Sequence, residues 1–561
     1  MSESGKKQNF LHGAALLALA TAVVKLIGAF YKIPLKMIIG DQGYGYFTTA
    51  YDIYSVLLMI STAGLPIAMS RMISQSSSLG HYNQVRRVYK TSRNIFLILG
   101  IVSTLLMVVG CRWLAGMLEQ PDAWAAILCL GPCALLMGFM STYRGFFQGQ
   151  ENMRPTSNSQ MLEAFFKLIV GLVAAYVIMK LTGKVALAAG GAILGVTVSC
   201  LASAIYLYCK VRPAYRDLPQ TQEKMESVKT TAKQLLAIAI PITIGSAGLQ
   251  LLTVVETGLY MDRLVELIRS DSYTLPLIDV LKNEIVAAEA NVTAATLPNL
   301  VAANLKGIYN FAQTVFNMPC AFIIPITASV LPAITAQLTL KNHTAVKQTE
   351  ESAARITGLL SLPCAVGLTI LAKPVMALLG GYSGEKLELA GQLMAMLGIS
   401  IFLYAIIQYT NVVLQSHNYA HVPVVNMLIS GVLKLAVVFV LVGNPALGIL
   451  GAPIGTLLCY AAIAVLNLIA IGRVVPQKPA LLKNLLRPLL PAAVMGAVVW
   501  ATQWGLMQIL GADGSRLFLC GVPIAVGAAV YFLCVVLFKS ITREDCLLLP
   551  KGEKIAKLLH L

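Results

Sequence analysis

The sequence predicts an all-α polytopic membrane protein with 14 transmembrane helices, and three observations predict it. Of 561 residues, 57% are hydrophobic and 12% charged, about half the charged share of a soluble domain. That leaves too little polar surface to cover a water-soluble body of this size. The apolar residues come in runs such as Ile95–Val109 and Leu435–Val442 rather than in one stripe at helical spacing. About 20 such residues at 1.5 Å rise cross the hydrocarbon core. Finally, Lys and Arg gather in alternate loops. Backbone amides in lipid must bond within their own segment, so the runs are helices. The short alternating segments of a β-barrel are missing.

The first run begins near Phe10 and continues through Lys25 to Ile39. Lysines precede it as they would a secretory signal, but no small-residue cleavage site follows, so it is read as a retained first helix. Further spans are expected near 46–70, 94–116, 123–146, 159–181, 186–209, 234–262, 304–337, 354–380, 388–415, 423–442, 449–472, 488–510 and 516–538. The connection from about Arg263 to Ala303 mixes charges with Ala and Val and has room for a short helix. The expected organisation is an N-terminal six-helix bundle with a cytoplasmic linker (1–233), a C-terminal six-helix bundle (234–487), and two extra helices with a basic cytoplasmic tail (488–561).

The net charge of +17 is distributed by topology. Arg71, Arg86, Arg87, Lys90 and Arg93 form one basic group, and Lys210, Arg212, Arg216, Lys224, Lys229 and Lys233 another. Arg473, Lys478, Lys483 and Arg487 form a third, and the tail adds Lys539, Arg543, Lys551, Lys554 and Lys557. The loops between, such as Glu119-Gln120-Pro121-Asp122 and Gly443-Asn444-Pro445, are short and poor in base. This alternation places the basic loops and both termini in the cytoplasm, beside anionic membrane lipids, and excludes a nucleic-acid role. The eleven cysteines fall mostly inside spans without metal-ligand spacing. His417 and His421, one helical step apart, are not read as metal ligands. With no phosphate loop, zinc motif or soluble acid pair, no enzyme activity and no cofactor are expected.

The halves resemble each other at an almost constant offset of about 266 residues, the mark of an internal repeat. Thr62-Ala63-Gly64-Leu65-Pro66 returns as Thr327-Ala328-Ser329-Val330-Leu331-Pro332, and Asn152 and Pro155 return as Asn418 and Pro423. Met161-Leu162 and Lys167-Leu168 match Met427-Leu428 and Lys434-Leu435, and Gly191-Ala192-x-x-Gly195 matches Gly451-Ala452-x-x-Gly455. Six helices separate the copies, so the repeats are parallel. Transporters built this way hold their substrate near the midplane between the halves.

Ionisable residues inside spans are costly and usually face a cavity or a partner. Lys25, Lys32 and Lys36 lie on one face of the first helix, within about 20° at 100° per residue. One reading satisfies them with neighbouring carbonyls, and Lys36 by reaching the interface. The preferred reading is a cationic stripe in an aqueous cavity, completed by an anionic substrate. Glu256 and Lys434 are deep, solitary and opposite in sign. They form an internal ion pair, or Glu256 is a proton- or sodium-coupling carboxylate, or each faces a wet cavity. Glu163 and Lys167, one turn apart, are expected to neutralise each other, while Asp52, Arg71 and Arg144 lie nearer span ends.

Four stretches carry a family resemblance: Lys25-Leu26-Ile27-Gly28-Ala29-Phe30-Tyr31-Lys32-Ile33-Pro34, Ile39-Gly40-x-x-Gly43-x-Gly45-Tyr46-Phe47, Gly64-Leu65-Pro66-Ile67-Ala68-x-Ser70-Arg71 and Tyr143-Arg144-Gly145-Phe146-Phe147-Gln148-Gly149-Gln150. Through nearly its whole length the chain resembles the polysaccharide-biosynthesis and lipid II flippases of the multidrug/oligosaccharidyl-lipid/polysaccharide exporter superfamily. The stage V sporulation protein B group and the lipid II flippases of Gram-positive bacteria are the nearest in pattern. The resemblance implies a flippase in the bacterial cytoplasmic membrane, working as a monomer, that moves a lipid-linked oligosaccharide pyrophosphate such as lipid II to the outer leaflet. It implies that Lys25 matches one essential arginine of those flippases and that Lys32 falls near a second; Lys36 and Arg71 complete the expected substrate-binding set. Other basic cavity positions are not matched, since Leu58, Met59 and Thr314 stand there. Glu256 falls near a sodium-binding acid and Lys434 near a sodium ligand. The rival classes are a multidrug exporter of the same superfamily and a non-transporting scaffold of envelope synthesis.

Overall fold

A computed structural model describes residues 3–62, 64–150, 152–221, 223, 225–288, 292–476, 479–511 and 515–542. Side chains are described for these except 3–22, 25, 26, 29, 57, 58, 60–62, 241, 242, 244–249, 288, 324–329, 331–333, 336 and 339. Among the described residues the regular structure is all helical. In chain order the helices are α1 (Glu3–Thr62), α2 (Gly64–Ser78), α3 (Tyr82–Val109), α4 (Cys111–Met117), α5 (Trp124–Gly149), α6 (Arg154–Thr182), α7 (Val185–Arg216), α8 (Val228–Arg269) and α9 (Leu277–Ala288). There follow α10 (Leu297–Thr339), α11 (His343–Ile370), α12 (Ala372–Gly380), α13 (Gly384–Ser416), α14 (His421–Val442), α15 (Gly451–Val474), α16 (Leu481–Leu486), α17 (Leu489–Leu510) and α18 (Arg516–Leu537).

Ten helical segments among the described residues are long and apolar enough to cross a membrane. Large apolar side chains stand exposed along them, Val102, Leu105, Val173, Val440 and Phe532 among them. Such a surface fits lipid and would aggregate in water. The chain is a multi-pass membrane protein.

Where helix limits differ from expectation, the backbone explains it. The first expected span and most of the second are parts of α1, joined at Gly40, whose φ of 68° is open to glycine and strained for other residues, while the last residues of the second, 64–70, open α2. The span expected at 354–380 divides at Leu371 into α11 and α12. Pro374 lacks an N–H, and its ring would clash with the Ile370 carbonyl in a continuous helix. The long connection does carry its short helix, α9. The α3 helix starts twelve residues before the expected 94, so the basic group Arg86, Arg87, Lys90 and Arg93 lies on helix rather than loop. Its N-terminus is capped from afar: the Glu223 carboxylate accepts hydrogen bonds from the Asn83 and Gln84 amides at 2.8 and 3.4 Å. A hydrogen bond from Thr221 and these amides hold the Glu223 carboxyl below the usual carboxylate range.

The chain forms two compact units. Unit 1 comprises Met1–Arg269 and Ile285–Asn310, and unit 2 comprises Ser270–Glu284 and Phe311–Leu561. In unit 1 the core is aromatic, with Tyr31, Tyr44, Phe47, Phe96 and Phe146 fully buried. The core of unit 2 packs Ile334, Ala354, Val413, Leu414 and Leu485, from α10, α11, α13 and α16. The Gly-Ala-x-x-Gly copies do the same job in each. Gly195 of α7 lies against the backbone of Gly171 and Val170 on α6, and Gly451 and Gly455 of α15 lie against Val442 and Val438 on α14. In both units the small residues let two helices approach closely where lipid gives no hydrophobic incentive to associate.

A buried lysine cluster in unit 1

The second part of α1 presents Gly45, Thr48, Thr49 and Asp52 at i, i+3, i+4 and i+7, which is one helical face. Small residues bring the start of α10 against it: Gly45 lies beside the Ala303 carbonyl and Gly307 beside the Asp41 carbonyl. This approach places Lys306, fully buried, with Nζ 3.2 Å from Asp52 Oδ2 and 2.5 Å from Thr49 Oγ1. Thr49 in turn lies 2.7 Å from Gln120 Oε1, and the Thr257 hydroxyl of α8 donates to Asp52 Oδ2 at 3.3 Å. Every polar group around the Lys306 ammonium thus has a partner, which makes the burial of a charge tolerable.

Beside it lies a pair of cations, Lys32 and Lys167. The Lys167 ammonium of α6 sits 4.8 Å from the centre of the Tyr51 ring and 5.5 Å from that of Tyr31, and such contacts contribute up to about 2 kcal/mol when desolvated. Tyr31 is fixed by its hydroxyl, which donates to the Ala192 carbonyl at 3.2 Å, and by packing on Phe47. Lys32 feels the charges of both Lys167 and Asp52. Asp52 already serves Lys306 and Thr257, and Glu163 serves Arg144 at 3.1 Å. Among the described residues, no carboxylate lies within ion-pair distance of Lys32 or Lys167. Two ammonium groups in surplus, in a low-dielectric wall, can bind an anion.

The expected site residues fall as follows. Lys25 lies on α1, with its side chain outside the described residues. Lys32 joins Lys167 in the surplus pair, while Lys36 is buried with Nζ 3.4 Å from Asp41 Oδ1. Arg71 is exposed on α2. Glu256 is buried on α8 in unit 1, near Tyr260, and Lys434 is on α14 in unit 2, near Tyr460. Glu163 differs from expectation: its carboxylate takes Arg144, which also donates through Nε to Ser159 Oγ at 3.0 Å, and Lys167 turns to the tyrosine rings. The planar fork of Arg144 can hold two acceptors at once, which a single ammonium does less well. Lys306 escaped sequence reasoning because it sits two residues inside its expected span, where a lysine normally reaches the interface. The Gly45-Thr48-Thr49-Asp52 face was the available signal.

Unit 2 has its own polar contacts. Glu350 of α11, fully buried, lies 2.9 Å from His417 Nε2, and the Tyr409 hydroxyl donates to the Glu350 carbonyl at 2.7 Å. Asn467 donates to Thr410 Oγ1 and Asn411 Oδ1 at 3.0 and 2.9 Å and accepts from Asn426 at 2.9 Å. In the connection before α9, the Tyr273 hydroxyl accepts from the Ile449 amide at 3.0 Å, and burial pushes its pKa up to about 12.

Long apolar helices packed through small residues define a multi-pass membrane protein. The fold matches the solved structure described as lipid II flippase MurJ, inward closed conformation, with a TM-score of 0.63 at 13% identity over 94% of this chain and 99% of that one. An inward-facing multidrug resistance transporter of the MATE family and MOP superfamily matches with a TM-score of 0.59 at 15% identity over 81% and 98%. The family model for polysaccharide biosynthesis proteins matches residues 10–338, and the chain belongs to that family. The model for the lipid II flippase MurJ matches residues 286–518. Stage V sporulation protein B of Bacillus subtilis (strain 168) is 24% identical over 97% of this chain and 98% of its own length. The lipid II flippase MurJ of the same organism is 23% identical over 93% and 94%. The resemblance expected from the sequence motifs holds.

Proposed function

We propose that the protein is a flippase that moves a lipid-linked cell-wall precursor, lipid II or a related undecaprenyl-pyrophosphate glycan, from the inner to the outer leaflet of the bacterial cytoplasmic membrane by alternating access. The observation that carries this reading is the surplus cationic pair, Lys32 and Lys167, inside unit 1. A pyrophosphate supplies the missing negative charge, and compact ammonium groups bind phosphate as point charges. Lys25, one face with Lys32, extends the site, and Arg71 meets the headgroup as it arrives. A cationic drug would be repelled from this wall, which disfavours the multidrug reading. Glu256 and Lys434 serve as an internal ion pair or in ion coupling. The protein works as a monomer, its basic loops on anionic lipids.

The deciding measurement is leaflet accessibility of labelled lipid II in cells depleted of their own flippase and carrying this protein. Lys25→Ala, Lys32→Ala and Lys167→Ala should each abolish complementation at normal membrane abundance, while Lys25→Arg keeps part of it. Full activity of the Lys32→Ala, Lys167→Ala double variant would remove the cationic site. A cycle of Glu256→Gln and Lys434→Met, read with and without sodium, separates pairing from ion coupling. Partial recovery in the double variant means pairing; sodium-stimulated activity means coupling.

The same reading has 14 spans, the four beyond the ten lying on α1, α8 and α10, with both termini cytoplasmic. Single cysteines at Ser77 and Ser227 should label only from the cytoplasm and one at Ser383 only from outside. Labelling of Ser77 and Ser383 from one side would end that topology.

A further inference from the structure

A groove of about 320 Å³ opens in unit 2 between the end of α11, α12, the start of α13 and the last three turns of α17. Its volume is within the range of small-molecule sites. The α17 wall consists of Trp500, Gln503, Trp504 and Met507, spaced i, i+3, i+4 and i+7 on one face. Trp500 and Trp504 are 62% and 59% exposed, as tryptophans are at the level of lipid headgroups. Between them Gln503 is only 7% exposed, and neither its Nε2 nor its Oε1 has a hydrogen-bond partner among the described residues. An amide taken out of water with both ends unmet is a standing cost that a ligand bringing an acceptor and a donor would relieve. Lys373 lines the opposite wall, and its ammonium lies 2.7 Å from Glu388 Oε2, both half exposed. So loose a pair opens readily to a ligand.

The groove therefore offers one cation, an unmet amide and an aromatic wall at the end of an apolar helix, with the carboxylate of Glu388 held against its cation. We propose that it is a binding site for a glycerophospholipid with a primary-amine headgroup, of the phosphatidylethanolamine class, separate from the transport site. The phosphate takes Lys373 and the ammonium takes Glu388. The ester carbonyls accept from Gln503 Nε2, the headgroup N–H groups serve Oε1, and the acyl chains run down past Trp500. A choline headgroup lacks N–H donors for the carboxylate and Oε1, and a glycerol headgroup brings no cation for Glu388.

The test uses the full-length protein in detergent, with phosphatidylethanolamine, phosphatidylglycerol or phosphatidylcholine added, read by thermal midpoint and by lipid retained in native mass spectrometry. Phosphatidylethanolamine should raise the midpoint by about 3 °C or more and stay bound at one per chain, with the other two lipids giving less than a third of either effect. Gln503→Leu should be at least as stable as the parent without lipid, since the unmet amide is gone, and should lose the lipid-dependent rise. Lys373→Met, at an exposed position, should leave the lipid-free midpoint unchanged and cut retention at least fivefold. Equal effects of the three lipids would overturn the headgroup assignment. An undiminished rise in both variants, or a dimer that cross-links through a cysteine at Trp504, would overturn the site.

Discussion

Lys167 of unit 1 and Lys434 of unit 2 correspond in the sequence repeat, and the two units surround them differently. Each keeps aromatic company: Lys167 has Tyr31 and Tyr51, and Lys434 lies near Tyr460, which packs with Tyr404 and Phe316. Around Lys167, however, unit 1 gathers further charges, Lys32, Lys306, Asp52, Glu163 and Arg144. Unit 2 keeps a buried carboxylate, Glu350 on His417, but its wider hydrogen-bonded network is built from neutral side chains, Thr410, Asn411, Asn426 and Asn467. The packing devices are shared, as the Gly-Ala-x-x-Gly contacts show. Close helix approach constrains a repeat wherever it occurs, whereas buried charge is costly and is kept where it has work to do. The anion site we propose lies in unit 1, on the charged side of that contrast.

The contrast is most exposed to failure at Lys306. Lys306→Met or Asp52→Asn leaves a buried charge without its partner and should cost about 3–5 kcal/mol, with much of it regained in the double variant. Thermal unfolding of the detergent-solubilised protein reads this directly. Additive losses would mean that the pair is no unit and that the polar order of unit 1 is overstated. The glycines come next. A Cβ on Gly195 meets the backbone of Gly171, which cannot give way, while one on Gly455 meets a methyl of Val438, which can turn. Gly195→Ala should therefore cost about 2–3 kcal/mol and Gly455→Ala about 1 or less. Equal costs would show that the shared motif is also equally tight.

In unit 2, Glu350→Gln keeps shape and can keep the bond to His417, so a loss of about 1 kcal/mol or less is expected at neutral pH. A loss as large as at Lys306 would make unit 2 as dependent on buried charge as unit 1. The smallest effect belongs to Asp271, whose carboxyl is held below its usual range by a hydrogen bond from Lys282 and by its charge. Its folded pKa being depressed, any stability it adds is present above the unfolded value near 3.8 and is lost as pH falls through the folded one. The midpoint of Asp271→Asn should lie marginally below the parent at pH 7 and coincide with it below that range. A gap that persists in acid would assign the effect to packing instead.

Hydrophobic runs made the multi-pass membrane architecture legible, because they are local properties that lipid reads residue by residue. The repeat motif was legible too, since glycines four apart mark one helix face whatever lies opposite. The break before α12 was not expected, although Pro374 stands just after it. What the sequence left open is the choice of partner across helices. Glu163 had a lysine one turn away yet pairs with Arg144, fifteen residues before Ser159 in the neighbouring helix α5. Lys306, near the start of its expected span, is the most deeply buried charge among the described residues of unit 1, because Gly45 and Gly307 let α10 close on α1. Periodicity fixes which side of a helix a residue faces, but the distance of closest approach between helices fixes whether a charge there meets water, lipid or its counter-ion, and that distance exists only in the tertiary structure.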